Sequence, residues 1–426
     1  MKLLSGADSI EMEKNMRTKV VDRFLKYVKV DTRSDDKSNT FPSSEKQKNL
    51  AKMLSEEMKE IGVSEVVFEE TKGYVYGKIP ANDGGSSPKT IAFIAHMDTA
   101  PDISGENVKP QVVENYQGQD ILLNEELGIE LTTKKFPELM EYIGKTLITT
   151  DGTTLLGADD KAGVAEIMTM AEELIAHPEI KHGPISICFT PDEEVGAGVD
   201  QIDLGILGAD YGYTVDGGAL GEIEYENFNA SSCVVTVHGV NVHPGEAKNK
   251  MKNAALIAME FESMLPKNEK PEYTSGYEGF YHLTEIQGNE ENAKLHYIVR
   301  DHDKEKFENK KIYLDKVAEL LNQKYGEGTV TLVQKDSYYN MKEKVEPEHF
   351  FLVEYARNCM EELEIVPKIQ PIRGGTDGAR LSYMGLPCPN LCAGGHNFHG
   401  RYEYVCVESM EKITGLLVKL ACQEYK

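Results

Sequence analysis

The sequence predicts an α/β protein whose main sheet is mixed and largely parallel. Short apolar runs rich in β-branched residues, such as "TIAFIAH" (90–96), "ISICFTPD" (185–192) and "YGYTVD" (211–216), alternate with amphipathic helical segments such as "AGVAEIMTMAEELIAH" (162–177). This alternation of strand and helix indicates a sheet covered by helices.

Two amphipathic helices are predicted ahead of the first strand. The segments "RTKVVDRFLKYVKV" (17–30) and "SSEKQKNLAKMLSEEMKEIG" (43–62) both carry apolar residues at helical spacing. Ser43 or Ser44 is expected to cap the second helix and Gly62 to end it, because these residue types favour those positions.

The rhythm of the elements changes after about residue 227. From there to about residue 340 the order is strand, helix, strand, strand, helix, strand, beginning with "SCVVTVHG" and "NAALIAMEFESML". This order is typical of a ferredoxin-like α+β unit. We therefore predict one domain built from residues 1–227 and 341–426, interrupted by a second domain at 228–340.

The composition narrows the class of protein. The chain has 426 residues, no run of 18 apolar residues and no apolar leader segment, so we expect neither a membrane-spanning nor a secreted protein. Its formal net charge of −25 argues against nucleic-acid binding, which requires clustered Lys and Arg. Seven scattered cysteines without a C-x-x-C pair favour a reducing, cytoplasmic setting.

Polar residues stand where the predicted strands end. His96 and Asp98 follow the strand "IAFIA", and side chains two apart on an extended chain face the same side. Ligands of open α/β sheets gather at the carboxyl ends of the strands. Taken alone, the pair is better explained as a histidine that is held by a neighbouring carboxylate.

Several carboxylates follow other strands and turns. Asp192, Glu193 and Glu194 come after "ISICFTP", Asp216 ends "YGYTVD", and "LLGADDKAG" (155–163) places two adjacent aspartates before a helix. Like charges that converge on one crevice raise each other's pKa, so a bound cation is the simpler account of the whole set. Each acid by itself could instead be an ordinary solvated surface residue.

The donor types indicate which metal would fit. Imidazole nitrogen and carboxylate oxygen without thiolate suit zinc, with cobalt or manganese as possible substitutes. The number of carboxylates favours two ions bridged by one of them. "GGHNFHG" supplies a second histidine, either His396 or His399, and spacing does not decide between them.

Six motifs in order resemble a known family. They are "IAHMDTA", "LLGADDKAG", "TPDEEVG", "YTVDGG", "IRGGTDGARLS" and "NFHG". They are similar to the motifs of the tripeptide aminopeptidases, in a family of two-zinc exopeptidases that also holds bacterial carboxypeptidases, dipeptidases and amino-acid deacylases. The likeness runs from about Arg17 to the last helix, and residues 1–15 extend beyond it.

The resemblance implies a zinc-exopeptidase-like catalytic domain with a defined set of ligands. One zinc would be held by His96, Asp159 and Asp216, the other by Glu194 and His399, with Asp159 bridging the two ions.

The same resemblance gives catalytic roles to two other acids. Asp98 would bind the second ring nitrogen of His96 and fix its tautomer, as carboxylates beside metal ligands do. Glu193 would act as the general base on water at the metal site.

Residues outside the metal motifs are implied as well. Arg373 resembles an arginine that clamps the free carboxylate of the peptide, and His243 resembles a histidine that reaches across a dimer interface to polarise the scissile carbonyl. The inserted domain would then be a lid and dimerisation domain. Asn253 could contact substrate but fits a helix N-cap better, and Arg300 receives no role.

These inferences predict a cytoplasmic, homodimeric two-zinc enzyme that removes the N-terminal residue from tripeptides. The nearest alternatives are a dipeptidase or an N-acyl-amino-acid deacylase of the same family. An alternative from another class is a non-catalytic binder of peptide or metal.

Overall fold

The computed structural model describes residues 6–422, so the first five residues of the N-terminal extension lie outside it. Within that range the helices are α1 (Gly6–Tyr27), α2 (Gln47–Ile61), α3 (Ala158–Ala176), α4 (Leu204–Leu207), α5 (Ala254–Ser263), α6 (Lys304–Tyr325), α7 (Lys342–His349), α8 (Phe351–Glu362), α9 (Asp377–Tyr383) and α10 (Val407–Ala421). Short 3₁₀ turns are Pro137–Tyr142, Glu193–Val195, Pro244–Glu246 and Pro271–Tyr273.

The strands follow the same numbering in chain order. They are β1 (Ser64–Phe68), β2 (Val75–Ile79), β3 (Ile91–His96), β4 (Gln111–Val113), β5 (Ile121–Asn124), β6 (Ile129–Leu131), β7 (Leu147–Thr149), β8 (Ile185–Thr190), β9 (Tyr211–Gly217), β10 (Glu222–Glu224), β11 (Asn229–His238), β12 (Phe280–Gly288), β13 (Asn292–Asp301), β14 (Val330–Tyr338), β15 (Lys368–Ile369), β16 (Asn390–Cys392), β17 (Gly395–His396) and β18 (Tyr404–Cys406).

The chain divides into two compact units. The first unit contains the chain up to Tyr225, Lys344–Gln370 and the chain from Thr376 onward; the second contains Glu226–Glu343 and Pro371–Gly375. The short segment Pro371–Gly375 thus clusters with the second unit, although its sequence position falls within the predicted range 341–426.

The first unit is built on an eight-stranded sheet in the order β1-β2-β8-β3-β9-β16-β10-β15. The four central strands β8, β3, β9 and β16 are parallel neighbours, while β1, β2 and β10 add antiparallel pairings. Every residue of β3 and β8 is buried, as expected for parallel strands covered on both faces. The predicted mixed, largely parallel sheet is confirmed.

Helix α3 packs closely against the parallel strands. It contacts β3 and β9 and is buried along most of its length. Gly163 permits this approach, because a Cβ at that position would lie 2.0 Å from the carbonyl oxygen of Val215. The beginning of α3 is thereby held beside the ends of the strands.

The start of α2 differs from the prediction, while its end agrees. The helix spans Gln47–Ile61, and the predicted Gly62 follows as its C-cap, in the left-handed conformation. Neither Ser43 nor Ser44 caps it, so that prediction is wrong. The hydroxyl of Ser43 donates instead to the carboxylate of Asp192, a stronger acceptor than a neutral group.

The second unit has the predicted ferredoxin-like order β11-α5-β12-β13-α6-β14. Its four strands form an antiparallel sheet in the order β12-β13-β11-β14. Both helices pack on this sheet, and β13 alternates buried with less buried residues, as a strand covered on one face does. Asn253 is the N-cap of α5, since its Oδ1 accepts the amide N–H of Leu256 at 3.1 Å.

Within residues 6–422, no helix combines the length and apolar composition needed to cross a membrane.

Candidate metal centre

Three parallel strands deliver polar side chains to one edge of the first unit's sheet. Because β8, β3 and β9 are neighbours, their carboxyl ends lie side by side. His96 is the last residue of β3, Glu193 and Glu194 form the turn after β8, and Asp216 is near the end of β9. The topology therefore brings together residues that are far apart in the sequence.

Asp159, at the start of α3, lies between two histidines. Its Oδ1 is 2.8 Å from Nε2 of His96, and its Oδ2 is 3.3 Å from Nε2 of His399. The two oxygens of one carboxylate thus face two different imidazoles. This is the arrangement that a carboxylate shared by two ions requires.

The remaining acids complete the cluster on either side of Asp159. Oδ1 of Asp216 lies 3.2 Å from Nε2 of His96, and Oε2 of Glu194 lies 2.9 Å from Nε2 of His399. Ligand atoms of His96, Asp159 and Glu194 all lie within 4.8 Å of one another, as do those of His96, Glu193 and Asp216. These separations are short enough for one ion to contact each group.

The electrostatics of the cluster favour bound positive charge. Burial raises the pKa of Glu194 to about 8 and that of Asp216 to about 6. Burial also disfavours the ionised form of Asp159, but hydrogen bonds from His399 and His96 outweigh it and hold the pKa of that carboxyl below its ordinary range. Hydrogen bonds to Asp159 and Glu194 raise the pKa of His399 to about 11. The protonated ring of His399 therefore supplies the positive charge that neutralises these carboxylates, a charge that a bound metal ion would otherwise supply.

The residues present fit a metal site. Oε1 of Glu194 is buried and has no hydrogen-bond partner among the described residues, which leaves one strong acceptor unused at the centre of the cluster. The donor set consists of imidazole nitrogens and carboxylate oxygens, which suits zinc and its usual substitutes.

Asp98 contacts both His96 and the turn that carries Glu193. Nδ1 of His96 lies 3.3 Å from Oδ1 of Asp98 and 3.1 Å from its backbone carbonyl oxygen. The two carboxylate oxygens also accept the amide N–H groups of Glu193 and Glu194, at 3.0 and 3.2 Å. The side chain of Asp98 is fully buried, so these contacts fix its position.

Two of the acids that follow strands or precede the helix have other partners. Asp192 accepts the Nε2–H of Gln47 and the backbone N–H of Ser43, both at 2.6 Å. Asp160 accepts the backbone N–H groups of His96 and Gly163, each at 3.2 Å. Asp160 thus binds the backbone of His96 in the cluster, whereas Asp192 binds the segment that leads into α2.

The structure separates the two histidines of "GGHNFHG". His399 lies in the cluster, whereas Nε2 of His396 is 2.5 Å from the hydroxyl oxygen of Tyr142 and its ring stacks on Tyr404 at 4.8 Å. Burial lowers the pKa of His396 to about 4, so its ring stays neutral.

Arg373 and His243 both belong to the second unit. The guanidinium of Arg373 donates to the carbonyl oxygens of Gly276 and Glu278 and to Oγ1 of Thr274, at 2.7 to 2.9 Å. His243 is exposed, and its Nδ1 accepts the amide N–H of Gly245 at 3.1 Å. With Nδ1 as the acceptor, Nε2 is the ring nitrogen that would donate a hydrogen bond.

Arg300 is bound within the same unit. Its Nη1 donates to the carbonyl oxygens of Ser231 and Val299, and its guanidinium lies 5.3 Å from the ring centre of Tyr338. Arg300 therefore contacts residues of the sheet of the second unit, and these contacts explain its position.

The sequence reasoning missed several buried polar residues near the cluster, among them Asn390 and Asp377. Oδ1 of Asn390 accepts the backbone N–H of Asp216 at 3.2 Å, and Oδ2 of Asp377 accepts the hydroxyl of Thr190 at 3.0 Å. Burial raises the pKa of Asp377 to about 7. The signal for Asp377 was its place in "GGTDGAR"; the signal for Asn390 was an amide beside the apolar pair "LC".

Comparisons with known proteins agree with this architecture. A family model described as "Peptidase dimerisation domain" matches residues 225–329. Over 403 residues the chain is 59% identical to peptidase T of Caldanaerobacter subterraneus subsp. tengcongensis, covering 95% of this chain and 98% of that protein.

Solved structures share the fold at lower identity. Aminopeptidase PepT from Bacillus cereus has a TM-score of 0.75 at 24% identity, covering 95% of this chain and 98% of that one. A tripeptidase from Staphylococcus aureus has a TM-score of 0.75 at 20% identity, with coverages of 95% and 97%. A dinuclear metal-binding peptidase of the M20 family from Bacillus subtilis has a TM-score of 0.67 at 17% identity, with coverages of 96% and 98%.

The mixed α/β sheet, the histidine–carboxylate cluster at the ends of its strands and the match of residues 225–329 to a peptidase dimerisation domain define the class of this protein as a peptidase. The high identity over nearly the full length of both proteins narrows the class further. The chain belongs to the peptidase T family.

Proposed function

We propose that this chain is a tripeptide aminopeptidase that uses two zinc ions to release the N-terminal residue. The observation that carries the proposal is the position of Asp159, whose two carboxylate oxygens lie 2.8 and 3.3 Å from Nε2 of His96 and of His399. Membership of the peptidase T family supports the substrate class.

The five proposed ligands would divide into two groups around Asp159. His96 and Asp216 would hold one zinc, and Glu194 and His399 the other, with Asp159 shared. Cobalt or manganese could substitute for zinc, because they accept the same nitrogen and oxygen donors. Bound zinc would polarise the scissile carbonyl and lower the pKa of water toward about 7.

Glu193 is the proposed general base. Burial raises the pKa of its carboxyl well above the ordinary value, and the nearby charge of Asp216 adds to this. A carboxyl group with a raised pKa can take a proton from the attacking water and later give it to the leaving amine. The Asp98 carboxylate holds the amide of Glu193 and so orients the base.

Arg373 and His243 are proposed to bind substrate. Arg373 would pair with the C-terminal carboxylate of the tripeptide through its guanidinium fork. His243 would donate from Nε2–H to the oxyanion of a partner subunit's substrate, which requires a homodimer. The match of residues 225–329 to a peptidase dimerisation domain supports this proposal. Residues 228–340 would be the lid and dimerisation domain, inserted in the chain between the two parts of the catalytic domain, 1–227 and 341–426.

The cell compartment is a further part of the proposal. All seven cysteines are free thiols, and six of them are buried. Thiols persist in reducing compartments, which supports a cytoplasmic location.

A substrate panel tests the function. The purified chain is given Met-Gly-Gly, the matching dipeptide and tetrapeptide, and the N-acetylated tripeptide, before and after chelation and zinc add-back. Fast cleavage of the free tripeptide alone, lost on chelation and restored by zinc, is the expected result. Preference for the dipeptide or the acetylated compound would move the function to a dipeptidase or a deacylase. Zinc binding without any cleavage would leave a non-catalytic binder.

A further inference from the structure

Glu403 is a buried carboxylate that binds the backbone beside the metal centre. Only 1% of the residue is exposed. Its Oε2 accepts the amide N–H groups of Leu156 and Gly157 at 2.7 and 2.8 Å, and its Oε1 accepts the amide N–H of Asp159 at 3.1 Å. One side chain thus accepts three backbone N–H groups from the turn that leads into α3.

These hydrogen bonds connect two segments that carry residues of the cluster. Glu403 lies on the segment that follows His399, immediately before β18. The amides that it binds belong to the turn that ends in Asp159. Because the amide of Asp159 is fixed, the position of its carboxylate relative to His399 is restricted.

We propose that Glu403 is a positioning residue that sets Asp159 against His399 and so determines the affinity of the metal centre. The inference rests on the proposed function, in which Asp159 is the shared ligand. Glu403 itself does not contact the ions in this account. It acts through the backbone of the turn.

A carboxylate is suited to this position because three N–H donors point at two acceptor oxygens. A glutamine has one acceptor oxygen, and its NH₂ group would face at least one of the donors. An aspartate keeps the charge but is one methylene shorter, so it cannot reach all three amides at the same distances. Unpaired buried amides would then disturb the turn.

The test measures metal binding rather than turnover. Apoprotein of the full chain is titrated with Zn²⁺ by calorimetry, for the wild type, Glu403→Gln, Glu403→Asp and the control Glu408→Gln. Glu408 is a matched control because it also accepts a backbone amide, that of Thr146 at 2.9 Å, in a different part of the first unit.

The wild type and Glu408→Gln are expected to bind two equivalents with the same affinities. Glu403→Gln should bind at least one equivalent about 10–100-fold more weakly, as is usual when a group that orients a ligand is removed. The visible spectrum of bound Co²⁺ should change in Glu403→Gln and not in Glu408→Gln, because only the former alters ligand geometry.

Each result has one meaning. If the wild type does not bind two ions, the proposed function fails and this inference fails with it. If the wild type binds two and Glu403→Gln binds both with unchanged affinity and Co²⁺ spectrum, the inference alone is overturned. If Glu403→Gln does not fold, Glu403→Asp decides in the same way: weaker binding supports the inference, and unchanged binding overturns it.

Discussion

The carboxylate of Asp98 accepts the backbone N–H of Glu193 at 3.0 Å. The same oxygen lies 3.3 Å from Nδ1 of His96. One buried side chain therefore sets the orientation of a proposed ligand at the end of β3 and of the proposed base after β8. The relative position of ligand and base depends on a group that, in our account, touches neither metal nor substrate.

We predict that Asp98→Asn lowers kcat/KM by about 10–100-fold, because an amide cannot accept from every donor around it. Kinetics with a tripeptide and zinc content are the measurements. Asp203→Asn is the matched control, since Asp203 also accepts two backbone amides, at 2.8 and 3.1 Å, at the cap of α4. Equal effects of the two substitutions would contradict a role at the site.

We predict that Glu193→Gln and Glu194→Gln lose activity for different reasons. Glu193→Gln should lower kcat by about 10²–10⁴-fold and keep two zinc ions, since it removes only the base. Glu194→Gln should lose affinity for one ion, because it removes a ligand. Metal analysis beside turnover measurements separates them, and loss of zinc from Glu193→Gln would argue against its role as base.

We predict that Arg373→Ala raises KM for tripeptides about 10–100-fold and changes kcat far less, because it removes charge-assisted hydrogen bonds to the substrate carboxylate. Arg373→Lys should recover part of the loss, since it keeps the charge without the planar fork. A tripeptide amide lacks the carboxylate and should bind both the wild type and Arg373→Ala equally poorly. An unchanged KM in Arg373→Ala would exclude the clamp.

Zinc is expected to stabilise the fold. Ions that bind only the folded chain add about 2.7 kcal/mol to the free energy of unfolding when free metal is at 100 times the dissociation constant. Thermal unfolding of apoprotein with and without zinc should show a higher Tm with zinc. His399→Ala should reduce that increase, and a Tm insensitive to zinc would contradict the metal centre.

The pH dependence of stability should change in Glu224→Gln. Burial raises the pKa of Glu224 to about 8, above its ordinary value of 4.5, and the charge of Glu222 adds to this shift. The unfolded chain ionises first as pH rises, so the contribution of Glu224 to stability is fully present below about pH 4.5 and is lost toward pH 8.

Glutamine at this position can still accept the Nδ2–H of Asn390, which the carboxylate accepts at 2.7 Å. The stability of Glu224→Gln relative to the wild type should therefore increase by about 1–3 kcal/mol between pH 5 and pH 8. Zinc-loaded samples are compared at both pH values by chemical denaturation. A relative stability that stays constant between them would exclude a raised pKa at Glu224.

The sequence predicted the features that depend on local pattern. Apolar strands that are followed by acids and a histidine indicated which edge of the sheet carries the cluster. Gly62 marked the end of α2, and Asn253 marked the start of α5. Such features depend on residues close together in the chain. The order of strands in the second unit followed from the same kind of evidence.

Contacts between distant segments could not be predicted in this way. Glu403 and Leu156 are 247 positions apart, and no periodicity in the sequence links a buried carboxylate to the amides that it accepts. Spacing alone left His396 and His399 open, and only the resemblance of "NFHG" favoured His399; the contact of His396 with Tyr142, 254 positions away, has no local signal in the sequence. The prediction that Ser43 or Ser44 caps α2 failed for the same reason. The local pattern indicated a cap, whereas Ser43 binds Asp192, 149 positions away in the chain.

The inserted second unit also fixes when the cluster can form during synthesis. His96, Asp159, Glu194 and Asp216 are made before the second unit, whereas His399 is made after it. Chains are synthesised from the N-terminus, and domains fold largely as units. The ribosome must therefore add the inserted unit before it adds His399, and until then a nascent chain holds only four of the five proposed ligands.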